Sequence, residues 1–277
     1  MSLELFEGTF RLAVPLFCIA IAGVWLARTG VINIALDGQI AFCSIAYVIG
    51  VSTGYWFIGL VLSFIAAETI GAILIILKEK YKLDELLVGI GLLYFCYGLS
   101  QLMSKLVFNN PGYALLGKDN IGEGLSFFIA IVFAIFAIIA EIFTRKVRLS
   151  KVIAESQELA SLQGIKTNKL RQFHGLVASL LIMIASVYLV EHGGAFTSQV
   201  SGQRGFLALA IVAIVNHSGL YAIFWAFGFA LGQKLVYTLP LPNELLEAAP
   251  YIIAIVLLIL RGRKNNFIIK LKLLMNK

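Results

Sequence analysis

Charge is scarce in this sequence. Asp, Glu, Lys and Arg supply only 13% of its 277 residues, whereas 60% are hydrophobic and the mean hydropathy is +0.93. Soluble domains carry about 25% charge and about 45–50% apolar residues, so a water-solvated globule is excluded and lipid must be part of the solvent. Cysteine is scarce too. Cys18, Cys43 and Cys96 each lie inside an apolar run, where they read as small buried hydrophobes rather than a disulfide framework or a metal site. No GxxxxGK[ST] stretch occurs, so the chain is not expected to bind and hydrolyse ATP by the P-loop mechanism. HExxH is missing as well, which argues against the zinc hydrolases that use it. No acidic ring, repeated carbonyl filter or repeated arginine pattern suggests an ion channel or voltage sensor. His174, His192 and His217 lack metal-ligand spacing, so neither a metal nor a cofactor is expected.

What is present is a succession of long apolar runs. A helix crosses the hydrocarbon in about 20 residues, and that ruler places spans near 12–29, 31–51, 56–77, 84–106, 124–144, 172–190, 204–221, 222–239 and 245–261. The expected fold is an all-α polytopic membrane protein of about nine transmembrane helices, with a range of eight to ten. The seventh span is the weakest, because its clean apolar part is only 206–215, and a short or re-entrant segment fits it equally. The runs are too long and continuous for barrel strands, which alternate over about ten residues. No signal-peptide cleavage pattern interrupts the first run, which is expected to lead straight into a single transmembrane domain over 1–277.

The net charge of +7 sits in short loops between apolar runs, which argues for membrane topology and against nucleic-acid binding. Placing the carboxyl end inside and the amino end outside leaves only Arg11, Lys105, Lys118, Arg204 and Lys234 of the 22 Lys and Arg residues on the outer side. That asymmetry is the one that orients bacterial membrane proteins. The basic 262–277 tail alternates charged and apolar residues, as a frayed anchor or as an amphipathic segment on anionic lipid.

One inside loop is long. Residues 145–171 contain good helix formers from Ala154 to Gln163, with Glu155 and Glu158 early and Gly164 placed to end the helix. Its apolar positions Ile153, Leu159, Leu162 and Ile165 need a partner. That partner is either the rest of the bundle, which makes the helix a local cap, or a soluble cytoplasmic subunit.

Polar groups at membrane depth are expensive and face cavities or partners. The candidates for a solute path are Asn33, Asp37, Gln39, Glu68 and Asn216. Asp37-Gly38 interrupts the run VINIALDGQIAF, and a discontinuous helix frees backbone groups that line a path; Asp37 as a helix cap is the competing reading. Glu68 lies deep in its span, where a structural role competes with a role in translocation. The mixed polarity suits an uncharged polar or aromatic solute.

The stretch FRLAVPLFCIAIAGVWLARTGVINIALDGQ resembles the opening of permease subunits of ATP-binding-cassette importers. It is most similar to the branched-chain amino acid and ribose permease superfamily, in the nucleoside branch that works with basic-membrane-protein-type lipoprotein receptors. Pro15 and Asn33-Ile34-Ala35-Leu36-Asp37-Gly38 match that family's first-span proline and its Asn-Ile-Gly-Leu-Glu-Gly stretch. Glu155, Glu158, Ala160 and Gly164-Ile165 match its coupling helix, and Arg204-Gly205-Phe206-Leu207-Ala208-Leu209-Ala210 matches Arg-Gly-Phe-Ile-Ala-Leu-Ala. Val215-Asn216-His217-Ser218-Gly219 departs from the family's usual Gly-Arg-Trp-Asn-Pro. The resemblance implies a cytoplasmic ATP-binding-cassette ATPase, a second permease subunit of the same or a different chain, and an extracytoplasmic solute-binding lipoprotein. It places the protein in the bacterial plasma membrane, moving a nucleoside or a related compound such as riboflavin. Relatives move sugars or branched-chain amino acids, and a proton-coupled secondary transporter using Asp37 or Glu68 is the alternative outside the family.

Overall fold

A computed structural model describes residues 2–237. The chain is helical almost throughout: α1 (Ser2–Arg28), α2 (Leu36–Val51), α3 (Trp56–Glu79), α4 (Glu85–Phe108), α5 (Glu123–Phe143), α6 (Arg145–Glu155), α7 (Gln157–Leu162), α8 (Thr167–Gly193), α9 (Arg204–Ile214) and α10 (Gly219–Tyr237). Among the described residues six helices, α1, α3, α4, α5, α8 and α10, are long and apolar enough to cross a membrane. The second and seventh expected spans are the short apolar helices α2 and α9, and the ninth, together with the basic tail, lies outside the described residues.

Burial sorts these helices into an axis and a ring. The apolar windows of α1 and α8 are 83% and 78% buried, whereas those of α3, α4, α5 and α10 are 22–39% buried. Side chains such as Leu87, Phe128, Phe136 and Phe224 therefore point outward, as a lipid-facing surface requires. α1 and α8, each of 27 residues, pack antiparallel. Arg28 at the end of α1 lies near Arg171 at the start of α8, since Arg171 binds Thr29 O. Arg11 near the start of α1 shares Glu123 with His192 at the end of α8. Pro15 sits inside α1 without ending it; packed neighbours make such a proline tolerable in a membrane helix.

Two departures from the sequence expectation concern breaks. The second span is helical only from Leu36; residues 29–35 are irregular, and Asp37 falls in the first turn of α2 rather than inside a break. The irregular backbone is held by side chains: Arg171 takes Thr29 O at 2.8 and 3.0 Å, and Glu85 accepts from Ile32 N at 2.7 Å. Buried backbone polar groups need such partners. The seventh span ends at Ile214 instead of 221, because Asn216 and His217 take positive φ values of 47° and 66° and turn the chain into α10. The structure also adds two three-residue strands, β1 (Tyr113–Leu115) and β2 (Ala195–Thr197), paired antiparallel with Ala114 opposite Phe196. They tie the loop before α5 to the loop before α9 and are far too short to cross a bilayer.

Candidate translocation site and coupling region

The two short helices begin at the same place. Asp37, in the first turn of α2, is 1% exposed. One carboxylate oxygen accepts from Gly205 N, at the start of α9, at 2.7 Å. The other accepts from Ser201 Oγ at 3.0 Å and from the hydroxyl of Tyr97. Tyr97 is midway along α4, so the junction lies at mid-depth in the bundle. A helix amino terminus carries unpaired N–H groups and roughly half a positive charge; here two such termini share one carboxylate. The approach is close: a Cβ on Gly205 would lie 2.4–2.6 Å from Asp37 N, Cα and Cβ, so only glycine fits. From this point α2 runs toward Glu191 at the end of α8, whose carboxylate binds Tyr47. α9 runs the opposite way, toward the Arg28 end.

Beside the junction is a polar network. Asn33 Nδ2 donates to Gln39 Oε1 at 2.8 Å, and Gln39 Nε2 donates to Ala67 O in α3 at 2.7 Å. Ser179 Oγ of α8 donates to the same carbonyl at 3.3 Å and lies beside Glu68. Asn33 Oδ1 and Glu68 Oε2 are buried acceptors without a hydrogen-bond partner among the described residues. The structure thus brings Asn33, Gln39 and Glu68 into one network, with Asp37 two residues from Gln39. Asn216 is elsewhere. It stands at the far end of α9, about 16 Å of helix away, and lines a cleft of ≈ 350 Å³ with Lys151, Ala154, Glu155, His217 and Ser218.

That cleft adjoins an ion pair between Arg28 and Glu141, two charges near the ends of apolar runs whose side chains are nevertheless both 0% exposed. Arg28 clamps the carboxylate with Nη1 at 2.8 Å and Nη2 at 2.6 Å, and its Nε donates to His217 O at 2.6 Å. Trp25 Nε1 (2.9 Å), Gly219 N (3.3 Å) and Lys151 Nζ (3.0 Å) complete the shell. The sequence signal was Trp25 and Arg28 on one face of a helix, three residues apart, two donors that need a shared acceptor. Backbones held at sparsely populated angles, such as Asn216 and His217, cost about 1–3 kcal/mol each and persist only where their surroundings over-determine them. The Arg28 contact to His217 O and the Glu141 contact to Gly219 N do so here.

The long loop folds as two helices instead of one. Ser156, extended at φ −159°, separates α6 from α7, so 154–163 is not a continuous helix. Glu155 ends α6 and Glu158 lies in the first turn of α7. At its other end Gly164 has φ +74°, with Gly164 N on Ser161 O and Ile165 N on Ala160 O, both at 3.0 Å. That double bond is a Schellman stop, which favours glycine. Ile153, Ala160 and Leu170, with Ile165 against them, form a small core of their own, while Leu162 is 83% exposed. Among the described residues no cluster of His, Cys, Asp or Glu could hold a metal, and the three cysteines are free and buried.

An antiparallel pair of long helices, each followed by an irregular re-entry and a short helix starting at mid-depth, defines the membrane core of a transporter; internal repeats with discontinuous helices are the recurrent architecture of that class. A family profile described as branched-chain amino acid transport system / permease component matches residues 5–260, and the chain belongs to that family. It is a multi-pass transport permease of the bacterial plasma membrane. It is similar to the guanosine ABC transporter permease protein NupQ of Bacillus subtilis, 26% identical over 286 residues that cover 91% of this chain and 89% of that one. The uncharacterized protein MG121 of Mycoplasma genitalium is 23% identical, with 96% and 95% covered. Among solved structures, PsaBC from Streptococcus pneumoniae in complex with Fab shares the fold, with a TM-score of 0.57 at 13% identity over 94% and 95% of the two chains.

Proposed function

We propose that the chain carries nucleosides, or close relatives such as riboflavin, into the cell as the permease subunit of an importer whose ATP is hydrolysed by separate ATP-binding-cassette subunits. The observation that carries this reading is the family match over 5–260 together with whole-length similarity to a guanosine permease. The chemistry of the mid-depth network agrees with it. Asn33 Oδ1 and Glu68 Oε2 are acceptors in search of donors, and a nucleoside brings amino, imino and hydroxyl donors without a net charge. Buried polar atoms left unpaired cost enough to make such donors decisive for selectivity.

In this reading the solute passes Asn33, Asp37, Gln39 and Glu68. The exposed face of α4, where Tyr94 and Gln101 sit beside Gly91 and Gly98, faces the second permease subunit or the path rather than lipid, because Gln101 is expensive in hydrocarbon. The Arg28 end, with the carboxyl terminus, is cytoplasmic, and a ninth span precedes a basic tail. Glu155, Glu158, Ala160, Gly164 and Ile165 shape the coupling loop, and exposed Leu162 meets the ATPase. A solute-binding lipoprotein delivers solute at the opposite face. ATP-driven closure of the motor subunits then switches access from one side of the bundle to the other, through contacts that differ between the two states.

The test is uptake of labelled nucleosides, riboflavin, ribose and branched-chain amino acids into proteoliposomes holding the chain with its co-purifying ATPase. ATP-dependent uptake of one nucleoside or riboflavin, lost in a Gly164→Pro/Glu158→Lys double variant, is the expected result. Uptake by the lone chain driven by a pH gradient contradicts it and supports a proton-coupled carrier.

A further inference from the structure

We infer that Arg28, Glu141 and Lys151 are positioning residues for transport: they link the cytoplasmic loop to the strained turn between α9 and α10, so that displacement of the loop shifts that turn and the helix it carries. The inference rests on the importer reading for what moves the loop, but not for the link itself.

A purely structural ion pair would be complete with Arg28 and Glu141, which already make a bidentate clamp at 2.6 and 2.8 Å with both side chains fully buried. The structure recruits two further segments onto that pair. From α6, Lys151 Nζ reaches Glu141 Oε1 at 3.0 Å. From the turn, His217 O takes Arg28 Nε at 2.6 Å and Gly219 N approaches Glu141 Oε1 at 3.3 Å. The turn meets the carboxylate directly with its backbone, since a Cβ on Gly219 would lie 2.8 Å from Glu141 Oε2. Beyond this cluster α6 and the turn face each other across the ≈ 350 Å³ cleft, which leaves room for relative movement. A packed cluster of discrete contacts shifts between arrangements instead of deforming smoothly.

Lys151 supplies the second arrangement. It is 42% exposed, unlike the pair it touches. Glu155, one helical turn further along α6, lines the same cleft and is within reach of an i,i+4 partner. When the loop moves, Lys151 exchanges Glu141 for Glu155 and releases the turn from α6. The other end of α9 holds Asp37 through Gly205 N, so the rigid 11-residue helix joins this cluster to the mid-depth junction.

The experiment uses the full complex in proteoliposomes, with solute uptake and ATP hydrolysis measured on the same sample. Lys151→Met is expected to assemble and hydrolyse ATP but to move about tenfold less solute per ATP, a typical size for a coupling term; Lys151→Arg restores the ratio. Unchanged solute per ATP in Lys151→Met overturns the inference. A second arm does not depend on transport: an Ala154→Cys/Asn216→Cys pair across the cleft is cross-linked in the purified chain. Its yield is expected to change several-fold when Lys151→Met is added, and an unaltered yield overturns the inference. Absence of ATP-dependent uptake in the wild type counts against the importer reading alone, because the cross-linking arm still decides the link.

Discussion

Asp37 and Glu141 are buried carboxylates that each meet a break between helices, and they are satisfied in opposite ways. Asp37 is met by a backbone N–H and two hydroxyls, all neutral donors. Glu141 is met by an arginine fork, a lysine, an indole and a backbone N–H. A charge answered by a full countercharge is locked, because removing either partner leaves an uncompensated ion in a low-dielectric interior. A charge answered by neutral dipoles and helix ends is held more loosely, and its neighbours Asn33 Oδ1 and Glu68 Oε2 still lack donors. The contrast separates a fully buried Arg28–Glu141 pair, which stays closed while the half-exposed Lys151 is free to leave it, from a junction whose neighbouring acceptors still await partners.

The largest effect falls on the locked cluster. Arg28→Ala leaves Glu141 buried and is expected to destabilise the protein by about 3–5 kcal/mol, read as a drop in Tm in detergent. An Arg28→Met/Glu141→Met double variant recovers much of that stability. At the mid-depth junction Asp37→Ala strands the Gly205 N–H, at about 1–3 kcal/mol, so uptake falls well before the fold does. Gly205→Ala acts on the same junction by pushing α2 and α9 apart; lost uptake with membrane insertion retained is the expected outcome. On the coupling loop, Leu162→Ala changes Tm little, since exposed positions are within about ±0.5 kcal/mol, but weakens ATPase co-purification. Smallest is Arg11→Ala. Its pair with Glu123 is partly exposed on both sides, so a loss of about 0–1 kcal/mol is expected.

The same contrast explains what was legible in the sequence. Long helices announce themselves by apolar length, so α1, α3, α4, α5, α8 and α10 lie where the hydropathy runs lie. Half-helices do not: α2 and α9 share their apolar runs with irregular backbone whose hydrogen bonds come from distant residues such as Arg171 and Glu85. Asp37, Asn33, Gln39 and Glu68 stood out because a polar residue in an apolar run is visible by itself. Tyr97, Ser201 and Ser179 did not, because a tyrosine or serine is unremarkable until its partner is known. Arg28 and Glu141 were hidden by position. Each sits near the end of a run, where a length ruler assigns charges to water, and only the crossing of α1 with α5 buries them together. Gly164 was visible as a helix stop, while the interruption at Ser156 carries no glycine or proline to mark it.

The most direct measurement of the contrast is the kinetics of ATP-driven nucleoside uptake by the reconstituted complex carrying Asp37→Asn or Lys151→Met. The account predicts that Asp37→Asn changes the KM for the transported nucleoside, and that Lys151→Met leaves KM alone while lowering the solute moved per ATP. Wild-type KM and rate in Asp37→Asn, or the same parameter altered by both substitutions, would contradict it.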